Sequence, residues 1–127
     1  MRLIDKVVLI TGAAGEVGKA AVQRFLKEGA KVMMADWDVD SLSAFSQTLS
    51  GEFAYIKADV SSEDDNLKMV EATLQRFGRL DVFVANAGIE GKISPIQGCS
   101  FEDFQRVMSI NVSGVWLGLK AVLSAMK

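Results

Sequence analysis

The sequence predicts an α/β fold, a parallel sheet with helices packed on both faces. Three observations carry that expectation. Four short apolar runs, at 7–10, 32–35, 53–56 and 82–85, alternate with segments of helical periodicity. That alternation calls for parallel strands joined by right-handed crossovers. The first run ends in a glycine-rich turn that opens directly into a helical pattern. At 127 residues the chain is one domain's worth, long enough to bury a sizeable core.

The first run, Val7 to Ile10, is wholly apolar and reads as a strand buried on both faces. Gly12, Gly15 and Gly18 follow at intervals of three. Glycine at a strand-to-helix junction admits positive φ and lets the backbone approach a ligand closely. The unpaired N–H groups and dipole of the next helical turn favour an anion such as a pyrophosphate. The first helix is expected to bury Val17, Ala21 and Phe25, with Val22 and Leu26, and to stop at Gly29. The second strand ends at Asp36. Asp40 or Ser41 can cap a short helix running through Leu49 and closed by Gly51.

The third strand leads into Lys57, Ala58, Asp59 and Val60. Ser61 and Ser62 each have an acid three residues on, a capping pattern for a helix that places Leu67, Val70, Leu74 and Phe77 on one stripe and stops at Gly78. The fourth strand runs into Asn86, Ala87 and Gly88. An irregular loop is expected over 89–98, and Ser100 caps a helical stretch over 101–127, with two helices meeting near Asn111. Val112, Val115, Trp116, Leu119, Val122, Leu123 and Met126 cover one broad side of it, and Ile110, Leu117 and Ala121 much of the other. A helix apolar nearly all round needs cover on more than one side, from the sheet and from another subunit or further chain.

Composition limits the chemistry. The formal net charge is -2 and half the residues are hydrophobic, so neither a nucleic-acid nor a membrane-surface partner is expected. No apolar run of membrane length and no secretory pattern is expected, which makes the cytoplasm the default location. With no histidine and Cys99 the single cysteine, a Ser-His-Asp site, a Cys-His site and a His or Cys metal cluster are not expected within this chain.

In an open parallel sheet, ligands bind beyond the carboxyl ends of the strands. That rule selects the Gly12 turn, Asp36, Asp59 with Val60, and Asn86 with Ala87 and Gly88. Asp36 lies 24 positions after Gly12, near the spacing of an acid that holds the ribose hydroxyls of a dinucleotide. Its charge would repel a 2′-phosphate: two unit charges about 4 Å apart at an effective dielectric near 20 cost about 4 kcal/mol. The next residue is Trp37, with no arginine to neutralise such a phosphate. NAD is therefore expected over NADP.

With the strand ends placed, the chain resembles the N-terminal half of a short-chain dehydrogenase/reductase. The resemblance rests on Thr11-Gly12-Ala13-Ala14-Gly15-Glu16-Val17-Gly18, Asp36, Asp59-Val60, Asn86-Ala87-Gly88, and Asn111 followed by Val112 and Gly114. It implies a Rossmann-like, doubly wound, three-layer sheet of order 3-2-1-4 over residues 1–127, ending before a fifth strand. It implies that Gly12, Ala14, Gly15, Glu16, Val17 and Gly18 hold the pyrophosphate. Asp36 and Trp37 then meet the adenosine ribose, Asp59 and Val60 flank the adenine, and Asn86, Ala87 and Gly88 approach the nicotinamide side. Asn111 supports an active-site water or proton relay.

Glu16 stands where the commoner branch of that family has a glycine, and is expected to point to solvent. The catalytic serine and Tyr-x-x-x-Lys pair of the family lie beyond this sequence, since Tyr55 sits in a strand with Asp59 four residues on. The resemblance thus implies hydride transfer between a nicotinamide and a secondary alcohol or ketone, by a unit of which this chain is the cofactor-binding half. The isolated chain is expected to be inactive, its sheet edge at 80–85 is expected to be long and apolar, and a homo-oligomer through the last helix is expected. A dinucleotide-binding or assembly module without catalysis is the alternative reading.

Overall fold

The structure, a computed structural model, describes residues 1–126. Its elements are β1 (Val7–Thr11), α1 (Glu16–Lys27), β2 (Lys31–Asp36), α2 (Val39–Ser46), β3 (Phe53–Lys57), α3 (Glu63–Phe77), β4 (Val82–Val84), α4 (Phe101–Met108) and α5 (Gly114–Ala125). A 3-10 turn (Ile96–Gly98) interrupts the loop after β4, and a π turn (Ser109–Ser113) joins α4 to α5. The four strands form one sheet in the order β3-β2-β1-β4, with every pairing parallel. This is the doubly wound, Rossmann-like arrangement.

β1 lies between β2 and β4, so it is covered on both faces and along both edges. Val7, Val8, Leu9 and Ile10 have no exposed surface. Full burial of such a side chain contributes about 1.5–3 kcal/mol, which makes this strand the densest source of stability in the sheet. Alternation along the strands splits the core in two. Val8, Ile10, Val32 and Met34 pack with Val22 of α1 and with Leu42 and Phe45 of α2. Leu9, Met33 and Ala35 face the other way, against Met69 and Val70 of α3 and Val122 of α5.

The helix starts are set by local hydrogen bonds. Asp38 caps α2 by accepting from the Ser41 amide at 3.1 Å, which replaces the expected cap at Asp40 or Ser41. An acceptor one turn earlier in the chain reaches the first amides of the helix, whereas Asp40 and Ser41 are already inside it. α2 ends at Ser46, and single turns carry the chain on to Leu49. Ser62 and Ser100 cap α3 and α4 by accepting from Asp65 and Asp103 amides. Gly78 ends α3 with φ 81°, a left-handed conformation.

Two expected core positions are corrected. Val17 is 72% exposed at the start of α1, and the buried face of that helix is Gly18 and Val22. Leu67 is 55% exposed. The buried stripe of α3 is Asn66, Met69, Val70 and Thr73, a register one residue off, made possible because Asn66 and Thr73 bond to backbone carbonyls. β4 is also shorter than expected, stopping at Val84, and Leu80 is buried, so the open edge is three residues long.

The helical path Phe101–Ala125 has mean hydropathy 1.4 over its most apolar stretch and is long and apolar enough to cross a membrane. That corrects the expectation that no segment reaches such a length. α5 packs on α3 and the sheet through Gly114, Gly118 and Val122, while Val112, Trp116, Leu119 and Leu123 are exposed. The helical stretch expected over 101–127, as two helices meeting near Asn111, is observed as α4 and α5 joined by the π turn and ending at Ala125, and Lys127 lies outside the described residues.

Asp81 ties the start of β4 to β1. Its Oδ2 accepts from the Val7 amide at 2.9 Å, and its Oδ1 accepts from Arg79 at 2.6 Å. The Arg79 guanidinium, followed by the Val7 amide, holds the Asp81 carboxyl below the usual carboxylate range. A depressed carboxyl stabilises the fold at pH values above its unfolded value and loses that contribution as pH falls through its folded value. Stability to urea should therefore fall on acidification below about pH 4, and Asp81→Asn should flatten that part of the profile. An unchanged acid limb in the variant would remove Asp81 from this role.

Candidate functional site

The carboxyl ends of β1, β2, β3 and β4 open on one cleft of about 460 Å³. Gly12 forms its floor at the end of β1. Asp36 and Trp37 enter from the end of β2, and Asp59 and Val60 from beyond β3. Ala87 and Gly88 follow β4 along another side. All seven were selected from the sequence. The cleft also takes in Lys57, Ala58, Ile89, Arg106 and Ile110, which were not. Lys57 and Ala58 were legible as the residues leading to Asp59. Arg106 and Ile110 reach the cleft because the chain after the loop folds back over it, and no sequence signal marked them.

The floor is held by a network centred on Thr11, which is 3% exposed. Its hydroxyl oxygen accepts from the amides of Asn86 and Ala87, both at 3.1 Å, and its hydroxyl lies 3.5 Å from the Val84 carbonyl. Asn86 returns a bond from Nδ2 to the Gly12 carbonyl at 3.2 Å. Gly12 has φ 65°, and a Cβ there would lie 2.8 Å from the Ala87 Cα. Backbone conformation and close approach both require glycine at this point. Gly18 is required by contact alone: its Cβ would lie 2.2 Å from the Gly12 carbonyl oxygen.

Gly15 is different. A Cβ there would stand 3.5 Å from the Gly12 carbonyl oxygen, an ordinary contact, and its φ of -80° suits any residue. It is the cap position of α1, and no side chain caps this helix. Among the described residues, the amides of Glu16, Val17 and Gly18 make no hydrogen bond, the first helical bond being Lys19 N–H to the Gly15 carbonyl at 2.9 Å. α2, α3 and α4 each have a side-chain cap. The start of α1 therefore presents unpaired donors and the positive end of a 12-residue helix. Glu16 is exposed there.

Asp36 stands across the turn from those donors. Its Oδ2 accepts from the Ala14 amide and its Oδ1 from the Asp38 amide, both at 3.0 Å. The carboxylate is thus fixed at the cleft, and each oxygen keeps acceptor capacity for a further donor. Asp59 lines the cleft, yet its Oδ1 turns back to the Ser61 amide and hydroxyl.

Asn111 sits in the π turn, beside the cleft. Its Oδ1 accepts from the Ile89 amide at 2.8 Å and its Nδ2 donates to the Ile89 carbonyl at 2.7 Å. A side chain bonded to both backbone groups of one residue acts as a clip. Further along the loop, Asp103 accepts from the Lys92 amide and pairs with Arg106, and those two contacts hold its carboxyl below the ordinary value. Together Asn111 and Asp103 fasten the loop that leaves Gly88 to the side of α4.

A parallel sheet of this order, with a glycine turn, an uncapped helix and an acid converging at its carboxyl edge, defines the class of nucleotide-binding α/β domains. The chain belongs to the short chain dehydrogenase family, whose family model matches residues 6–127. It is 41% identical to levodione reductase of Leifsonia aquatica over 131 aligned positions, covering 99% of this chain and 49% of that protein. Among solved structures, 3-ketoacyl-(acyl-carrier-protein) reductase of Brucella melitensis in complex with NADH superposes with a TM-score of 0.93 at 36% identity, covering 97% of this chain and 50% of that one. NAD+-bound xylitol dehydrogenase gives 0.93 at 33% identity, with 99% and 50% covered. The chain spans about half the length of the curated relatives it matches.

Replacing Thr11 with valine would keep its shape, leave the half-buried Ala87 amide without its acceptor and leave the Asn86 amide only the Val84 carbonyl. The expected loss is about 1–3 kcal/mol in urea unfolding, with faster hydrogen exchange at Asn86 and Ala87 than elsewhere in the sheet. Uniform acceleration across all strands would instead count against a local role for this hydroxyl.

Proposed function

We propose that this chain is the nicotinamide-dinucleotide seat of an oxidoreductase that moves hydride between NAD(H) and a secondary alcohol or ketone. The observation that carries the reading is the uncapped start of α1, with three unpaired amides, set beside the fixed carboxylate of Asp36. The space above Gly15 and the amides of Glu16, Val17 and Gly18 suit the pyrophosphate, with Gly12 and Ala14 shaping the turn beneath. Asp36 accepts the adenosine ribose hydroxyls, with Trp37 alongside. Asp59 and Val60 flank the adenine, and Asn86, Ala87 and Gly88 lead to the nicotinamide side. Asn111 acts by holding Ile89, and so the loop bordering that end, in a supporting catalytic role.

The dinucleotide supplies the hydride chemistry when bound, and this chain supplies its binding and orientation. The serine and Tyr-x-x-x-Lys pair that the family resemblance implies are not among these residues, so the isolated chain is expected to bind cofactor without turning over substrate. The likeness to an NADH complex and an NAD+ complex supports the cofactor class. The preference for NAD over NADP rests on Asp36, whose charge opposes a 2′-phosphate. The exposed apolar stripe of α5 supports a homo-oligomer joined there. A cytoplasmic setting fits the lone cysteine.

Asp36→Ala removes a charged acceptor worth about 1.5–3 kcal/mol. NAD binding by calorimetry should therefore weaken about 10- to 100-fold, and Asp36→Arg should shift preference toward NADP. An unaltered NAD-to-NADP ratio in both variants would take Asp36 out of the site. Ketone-dependent NADH oxidation by a verified 127-residue chain would overturn the division of labour between this chain and further residues. Dinucleotide binding with no oxidation by any longer natural form would favour a module without catalysis.

A further inference from the structure

We infer that Asn66 is a positioning residue for the cleft, fixing the Val60 carbonyl and with it the wall that Val60 and Asp59 provide. The inference rests on the dinucleotide reading above. Asn66 is 1% exposed on the buried stripe of α3. Its Nδ2 donates to the Val60 carbonyl at 2.9 Å and to the Ser62 carbonyl at 2.8 Å. Those two acceptors dictate the orientation of the amide, because a rotated side chain would set its oxygen against both of them. Oδ1 is then left buried and without a hydrogen bond. It faces α5, where a Cβ on Gly118 would stand 3.4 Å away.

An unpartnered buried acceptor is unfavourable. An aliphatic side chain at this position would fill similar space without the orphaned Oδ1, but would leave the Val60 carbonyl without its donor. Packing therefore does not explain an amide here, and the two donors it aims at residues 60 and 62 do. Val60 is gripped from the opposite side as well: a Cβ on Gly114 would lie 2.8 Å from its Cγ2 and 3.2 Å from its carbonyl oxygen. The neighbouring wall residue is held by the neighbouring helical residue, since Asp65 accepts from the Asp59 amide at 2.9 Å. Two successive residues of α3 thus pin two successive residues of the cleft. Loss of the Asn66 donors would free the Val60 peptide to turn, and the side chain facing the cleft would turn with it.

The test uses Asn66→Val and Asn66→Asp in the longest natural polypeptide carrying this chain, with AMP and NAD as probes in calorimetry well below the unfolding temperature. Both ligands should bind about 3- to 10-fold more weakly, by a common factor, as expected for a small displacement of a contact wall. In both variants kcat at saturating NAD should be unchanged. Folded variants with wild-type affinity for AMP would overturn the assignment, as would a loss confined to kcat. A wild type that binds neither ligand would instead overturn the dinucleotide reading, and this assignment with it. Should the variants fail to fold, wild-type protein with nitrogen-15 asparagine gives the answer. The Asn66 side-chain hydrogens should exchange slowly and shift on AMP addition, and a resonance unmoved at AMP saturation would overturn the role.

Discussion

The structure depends on how the turn after β1 is anchored. That turn leaves the centre of the sheet, where four consecutive side chains are fully buried, and must open on solvent within a few residues. Thr11 makes the transition possible by satisfying two amides from the far side of β4, while Asn86 satisfies the Gly12 carbonyl in return. The backbone of Gly12 and that of Ala87 then lie too close for any side chain between them. With these contacts made, the turn that opens α1 is set, and the first amides of that helix are left without a partner in the chain. Asp36 completes the arrangement from β2 by accepting from Ala14. The polar requirements of the chain and the shape of the site are the same set of bonds.

A different economy governs the outer helices. The π turn at Ser109–Ser113 inserts Asn111 where a regular helix would carry its side chain past the loop, and the clip on Ile89 follows from that local widening. α5 continues from it with glycines toward α3 and the sheet, and bulky apolar groups facing away. Small residues inward and large residues outward reverse the usual distribution. The inward pattern is explained by contact, since Gly114 meets Val60 and Gly118 meets Phe83.

The parallel sheet and most of the cleft were legible in the sequence because they follow from strong, local signals, whereas the strand order was expected only from the family resemblance. An unbroken apolar run has one plausible place in such a sheet, and a polar residue closing each run marks the carboxyl edge. Asp36 was legible by its spacing from Gly12. Errors fell where tertiary contacts outweigh periodicity. Val17 has the right helical phase for the core but lies too near the helix start to reach it. Asn66 was missed because an asparagine does not announce burial, and only the carbonyls of Val60 and Ser62, brought close by the turn after β3, make it acceptable. The cap at Asp38 was hidden by equally good capping residues just downstream. Arg106 and Ile110 joined the cleft through the fold of α4 over the loop, which no sequence spacing encodes.

The bonds between Thr11 and Asn86 span 75 positions of chain. A contact so distant carries a large closure cost, because the intervening polymer must lose its freedom before the pairing returns anything. β4, only three residues long, holds the edge of the sheet beside β1, and the floor of the cleft is complete only with it in place. A ligand that recognises the finished floor discriminates against every conformer in which that strand is still adrift, so its occupancy selects for molecules whose assembly has run to completion.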